Sequence, residues 1–193
     1  MNSQLRLGND EMVWAEEIRR GNPVAYGHLF DNYYRPLCDY AFRFCNGNQE
    51  MVEDIVQEVF VKIWERRTTW EPKITVKAYL YRSVHNQAIS NLRKNRYESP
   101  LKDSVENTVK SAELTPFELI QNKQLDNGIS RAIAKLPERR REILVLRMLH
   151  DMSYKEIADT LEISVNTVDT QLRRALKSLR EDLKIYQSGL ELV

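Results

Sequence analysis

The stretch MSYKEIADTLEISVNTVDTQLRRALKSLR, Met152–Arg180, holds two short helical patterns and the signals that bound them. Ser153 and Glu156 have the Ser-x-x-Glu spacing of a capping box, in which hydroxyl and carboxylate each satisfy a backbone N–H of the first turn. Ile157, Ala158 and Leu161 then fall on one face. Glu162–Ser164 makes a tight turn. Ser164 is placed to cap a second helix, whose buried stripe reads Val168, Leu172, Ala175, Leu176 and Leu179. Helices joined by so few residues must cross steeply, and Ala158 supplies a small residue at the crossing. This is a helix-turn-helix pattern, whose second helix enters a DNA major groove.

That second helix presents Asn166, Thr167, Asp169, Thr170, Gln171, Arg173, Arg174 and Lys177, with Ser164 at its start. Amides and hydroxyls read base edges, and Arg and Lys hold phosphates or guanines. A charged outer face alone would equally suit a solvated bundle helix. The agreement of two caps, a small residue at the crossing, a short turn and a polar-then-basic face favours DNA. The turn departs from the common pattern in one respect: Glu162 stands where glycine often supplies a left-handed backbone, at a cost of roughly 1 kcal/mol.

Upstream, KLPERRREILVLRMLH restarts a helix, with Pro137 suited to its first position and Glu138 to the positive end of its dipole. Helical patterning precedes it from about Phe117 to Lys135. Before that, residues 96–116 are polar, mildly acidic and without firm periodicity, which reads as a flexible linker.

The N-terminal half is also helical. A helix is expected from Gly21–Pro23 to about Cys45, then a turn in which Asn48 is a candidate cap. In EDIVQEVFVKIWERR, Glu53–Arg67, with the preceding Val52, the residues Val52, Ile55, Val56, Val59 and Ile63 form one apolar stripe. Asp54, Gln57, Glu58, Val61 and Glu65 recur at the same spacing on another face, which a core helix does not require. Phe60 and Trp64 stand at the border of the stripe and suit packing. Pro72 breaks the helix within Thr68–Thr75, and a further helix is expected from about Val76 to Lys94, with Leu80, Val84, Ala88 and Leu92 inward. Arg82, Asn86, Ser90 and Arg93 lie outside, and Lys94 and Arg96 extend the basic end.

The fold class is therefore all-α: two small helical domains, 1–95 and 117–186, a flexible linker, a helix-turn-helix in the second domain, and a tail at 187–193. The composition is that of an ordinary globular chain, 193 residues with 42% hydrophobic and 30% charged. No run of about 20 apolar residues spans a membrane, and the first residues lack an apolar export signal. Cys38 and Cys45 are seven apart on one predicted helix, too far for a disulfide, and read as plain thiols in a reducing cytoplasm. His28, His85 and His150 form no metal or catalytic arrangement. No nucleophile–base pair or phosphate-binding glycine loop is visible, so no enzyme, cofactor, metal or small-molecule substrate is expected. Net charge is +1, from 29 basic and 28 acidic residues, too balanced for a protein that grips DNA by charge alone.

Together, DIVQEVFVKIWE, VKAYLYRSVHNQAISNLRKNR, a linker and the helix-turn-helix resemble a bacterial RNA polymerase sigma factor of the extracytoplasmic-function group in the sigma-70 family. The resemblance spans about Ala25–Lys184. It implies that Asp54, Gln57, Glu58 and Val61 dock on the β′ clamp helices of core RNA polymerase, and that the second domain meets the β flap. It implies that YLYRSVHNQAISNLRKNR, Tyr79–Arg96, reads and melts the promoter −10 element, with Trp70, Lys77, Arg82, Asn86, Ser90, Arg93 and Lys94 as the contacts of this part of the chain. Trp70 lies in the loop where the family places a base-capturing pocket, though an anchor packed on the core is the other reading. The resemblance makes the helix-turn-helix the −35 reader, threads the linker along the RNA-exit path, and adds an anti-sigma protein as a partner. The rival reading is an autonomous helix-turn-helix regulator, which would bind DNA tightly without polymerase.

Overall fold

A computed structural model describes residues 3–98 and 126–190. Among the described residues every regular element is helical. They are α1 Ser3–Arg19, α2 Pro23–Phe42, α3 Gln49–Glu65, a 3₁₀ turn at Arg67–Thr69, α4 Val76–Glu98, α5 Asp126–Lys135, α6 Glu138–Met148, α7 Tyr154–Thr160 and α8 Val165–Leu190. The chain divides into two compact units, Met1–Asp103 with Asp159–Leu161, and Ser104–Ala158 with Glu162–Val193.

In the first unit, α1, α3 and α4 all pack on α2 or on one another. α1 ends at Gly21, whose φ of +84° suits glycine, with the Gly21 N–H donating to the Ile18 carbonyl and the Asn22 N–H to that of Glu17. Asn22 then caps α2, its side chain accepting from the Val24 N–H at 3.0 Å, and Pro23 occupies the first helical position. Asn48 caps α3 as expected, accepting from Met51 at 3.0 Å. The expected stripe of α3, Val52, Ile55, Val56, Val59 and Ile63, is buried throughout and joined by Phe60. α3 packs on α2 and α4, whose Leu29, Leu37 and Tyr40, and Leu80, Tyr81 and Val84, are likewise buried. Aromatic rings fill one end: Phe60 lies 4.9 Å from Phe30 and 6.2 Å from Tyr26, and Trp64 lies 5.0 Å from Tyr26. At the other, the Tyr40 hydroxyl is 3.2 Å from Nδ1 of His85, which is half-buried.

In the second unit, α5 and α6 both pack on α8. Arg141 fastens the end of α5 by donating to the carbonyls of Ala134 and Leu136, at 2.8 and 3.0 Å. The capping box at α7 forms as read: the Ser153 N–H donates to Glu156 at 2.8 Å, and the Glu156 N–H to the Ser153 hydroxyl at 3.3 Å. Ile157 and Ala158 are buried. Glu162 adopts φ +53°, the left-handed conformation expected of it, and the turn closes with the Ile163 N–H donating to the Ala158 carbonyl at 3.0 Å.

Several expectations are corrected. α1 lies in a stretch read only for an export signal, and it buries Ala15 and Ile18. α4 continues to Glu98, so the residues just after 95 are helical; residues 99–116 of the expected linker, and 117–125 of the expected helix, lie outside the described residues. Pro137 is the cap residue of α6 rather than its first helical residue, and Glu138 takes that position. Leu176 is exposed and Leu179 half-buried, so the α8 core stripe narrows to Val168, Leu172 and Ala175. Cys45 falls after α2 has ended. Both cysteines are free thiols.

Candidate nucleic-acid interface and docking face

The second face of α3 is turned to solvent. Asp54, Gln57, Glu58, Val61 and Glu65 are all exposed, and Val61 keeps 51% of its surface in water. This puts an apolar side chain in the middle of acids and amides. The face is held in shape from below. Glu58 takes an ion pair from Lys62 at 2.7 Å and a hydrogen bond from Nε2 of Gln87 on α4, and Lys62 donates in turn to Gln87 at 3.0 Å. Gln57 is hydrogen-bonded to the Tyr34 phenol, which burial raises above its ordinary pKa and that bond pulls back. Glu58 and Gln57 are thereby fixed in direction, while Val61 stands free of such ties as an apolar knob.

On α4, Asn86, Ser90, Arg93 and Lys94 are exposed, at spacings that keep them along one side of the helix. Lys77 and Arg82 are half-buried. The loop before α4 is fixed at its far end by Thr75, whose hydroxyl accepts from the Ala78 N–H at 3.0 Å. Trp70 does not present its ring: it is 4% exposed and lies edge-on to Tyr79 at 5.8 Å. It is the anchor packed on the core, and the exposed residues of its loop are Thr68, Thr69, Glu71, Lys73 and Ile74.

On α8, Ser164, Asn166, Thr170, Arg173, Arg174 and Lys177 are exposed. Ser164 and Thr167 are engaged with each other: the Ser164 hydroxyl accepts from the Thr167 N–H at 3.0 Å, and the two hydroxyls are 2.8 Å apart. Gln171 is half-buried, and its Oε1 accepts from Nε of Arg140 on α6 at 3.2 Å. Asp169 holds Nε of Arg173 at 3.0 Å. Arg140 was missed in the sequence. The signal was available: three arginines in the first turn of a helix oppose its dipole, so each needs another reason to be there. Arg141 has the end of α5 and Arg139 has Glu142 at 3.4 Å; Arg140 has Gln171 of α8.

The described residues present an acidic and amide face with an apolar centre on α3, a polar and basic face on α4, and another on α8. Among the described residues no group of three or more His, Cys, Asp and Glu could hold a metal, and no helix is long and apolar enough to cross a membrane. Residues 29–97 match the family model for sigma-70 region 2, and residues 127–179 that for sigma-70 region 4. The chain is 27% identical over 177 residues to the ECF RNA polymerase sigma factor SigW of Bacillus subtilis (strain 168), covering 88% of this chain and 94% of that protein. It is equally 27% identical over 177 residues to the ECF RNA polymerase sigma-E factor of Escherichia coli (strain K12), covering 88% and 92%. Its fold resembles that of CnrH, solved in complex with the cytosolic domain of CnrY, at a TM-score of 0.61 and 22% identity over 91% of this chain and 98% of that one. It also resembles the sigma factor RpoE of Bartonella quintana, solved with the anti-sigma factor NepR, at 0.59 and 20% over 83% and 97%.

Proposed function

The chain belongs to the extracytoplasmic-function sigma factors of the sigma-70 family, and from that premise we propose how its own residues carry promoter-specific initiation. The first unit docks on core RNA polymerase through Asp54, Gln57, Glu58 and Val61, against the β′ clamp helices. Exposed acids and amides suit a basic partner surface, and Val61 supplies the desolvated centre that such an interface needs. The observation that carries this reading is the α3 face itself: a helix whose core stripe is complete still keeps Val61 half in water, ringed by fixed polar groups.

The exposed side of α4, with Asn86, Ser90, Arg93 and Lys94 and with Lys77 and Arg82 at its margin, serves the −10 element. Trp70 supports that loop from within. In the second unit, Asn166, Thr170, Arg173, Arg174 and Lys177 of α8 serve the −35 element, Ser164 and Thr167 set the helix's start, and Gln171 braces it against α6; the same unit meets the β flap. Each unit alone makes few phosphate contacts, so duplex binding is weak and salt-sensitive. Fixed at one spacing on polymerase, each unit raises the other's effective concentration at the promoter. Polymerase supplies the phosphodiester chemistry, and this chain works in the cytoplasm as a specificity subunit, not as an enzyme. A protein that covers the α3 face would hold it inactive, which is the place of an anti-sigma partner.

Run-off transcription with core polymerase, with and without the full chain, tests this. Promoter-dependent transcript is expected only with the chain present. Nanomolar promoter binding by the chain alone, with no gain in transcript, would overturn it in favour of an autonomous regulator.

A further inference from the structure

Asp169 is a carboxylate on a helix face meant for DNA, where phosphates repel it. It stands in the second turn of α8, past the first turn in which a helix dipole rewards an acid. What it touches is Arg173: both carboxylate oxygens lie 3.0 Å from Arg173 Nε, in the favourable order of acid four residues before base. The Arg173 side chain is 78% exposed and that of Asp169 36%, so the pair is too wet to matter much to the fold. Its consequence is geometric. A guanidinium has a fixed planar fork. With Nε tied to Asp169, the paired Nη1 and Nη2 edge is the one left for another partner. That edge matches O6 and N7 of guanine, the bidentate pairing by which Arg reads a base. The same carboxylate offsets the arginine's charge, which weakens it as an indiscriminate phosphate clamp.

Resting on the sigma-factor reading above, we propose that Asp169 is a positioning residue for −35 recognition: it orients Arg173 to read a guanine and suppresses its sequence-independent hold on DNA. The expected signature is a trade between specificity and affinity that a merely structural residue would not show.

The test uses the full chain, wild type and the variants Asp169→Asn and Arg173→Ala. Transcription with core polymerase is read on promoters whose −35 bases are varied one at a time. Binding of the chain to a duplex of unrelated sequence is followed by fluorescence anisotropy against salt, and thermal melting checks the fold. Arg173→Ala should lose preference for guanine at one position. Asp169→Asn should lose about tenfold of the preference at that same position while still melting like wild type. It should also bind the unrelated duplex more tightly, with a salt slope steeper by about 0.9. An Asp169→Asn base profile identical to wild type, a loss at a position different from that of Arg173→Ala, or an Arg173→Ala variant with unchanged preferences would each overturn the proposal and leave the sigma-factor reading standing. Wild-type transcription indifferent to every −35 base would overturn that reading instead.

Discussion

Replacing Asp54 and Glu58 of α3 by lysine tests docking most directly, because the structure separates its cost to the fold from its cost to the interface. Asp54 is exposed, and its reversal disturbs no core contact. Glu58 anchors Lys62 at 2.7 Å and receives Gln87, with both partners of the ion pair nearly half exposed. Such a pair contributes about 0.3–0.5 kcal/mol, and the repulsion between Lys62 and a lysine introduced one turn before it is of similar size. With the Gln87 bond included, the loss is about 1 kcal/mol, or roughly 4–8 °C of melting temperature for a unit of this size. The interface suffers far more. Like charges set opposite one another across an interface cost several kcal/mol, so two reversals should weaken polymerase binding by about a thousandfold. Co-migration of the full chain with core polymerase on gel filtration measures this, with thermal melting beside it. The triple variant with Lys62→Glu added is the control. It restores an ion pair across positions 58 and 62 and should recover most of the lost melting temperature without recovering binding. A double variant that stays folded and co-migrates as well as wild type would refute the docking assignment.

Three further outcomes follow from single sites. Glu162→Gly should raise the melting temperature slightly, because relief of roughly 1 kcal/mol of left-handed strain outweighs most of the roughly 0.4–1 kcal/mol range of chain entropy that glycine costs; a lowered value would show that the Glu162 side chain matters more than its backbone. Trp70→Ala should destabilise the first unit by about 3–5 kcal/mol, since the ring is buried in the core; a variant that melts normally but fails only in promoter opening would restore Trp70 to the DNA surface. Burial pushes the Cys45 thiol up to about 11 from its ordinary 9.0. The folded state thus favours the protonated thiol, whose contribution to stability is complete below about pH 9 and is lost as pH rises towards 11. Denaturant midpoints at about pH 8 and about pH 10.5, for wild type and Cys45→Ala, should diverge accordingly.

What was legible in the sequence is what short-range chemistry dictates. The α3 stripe, the Asn48 and Ser164 caps, the Ser153–Glu156 box and the left-handed Glu162 each depend on residues within one or two turns of each other, and all appear where expected. The exposed face of α3 was legible for the same reason. The misses depend on partners distant in the chain. Leu176 follows the buried Ala175 by one residue, which rotates it about 100° off the face that α5 and α6 cover. An aromatic residue in a loop carries no direction in the sequence; the contact with Tyr79 is what turns Trp70 inward. Arg140 and Gln171 are thirty-one positions apart, and no periodicity links them. α1 is hard to read because its inward pattern is thin, with Ala15 and Ile18 buried and Trp14 stacked on His28 of α2 at 6.0 Å.

The near-zero net charge then fits the proposed mechanism. A chain with a large basic excess would bind any duplex, and non-specific DNA would compete with polymerase for it. Here 29 basic residues are almost matched by 28 acidic ones, yet they are not spread evenly. Acids collect on α3, where Asp54, Glu58 and Glu65 face outward, and cations collect at Arg93 and Lys94 of α4 and at Arg173, Arg174 and Lys177 of α8. Even on α8 the cations are partly offset, Arg173 by Asp169 at 3.0 Å and Lys177 by Glu181 at 3.9 Å. On the proposed docking, weak intrinsic affinity makes promoter binding conditional on the second-site gain that polymerase supplies, so whatever occupies the α3 face of the first unit also governs the second unit, which it does not touch.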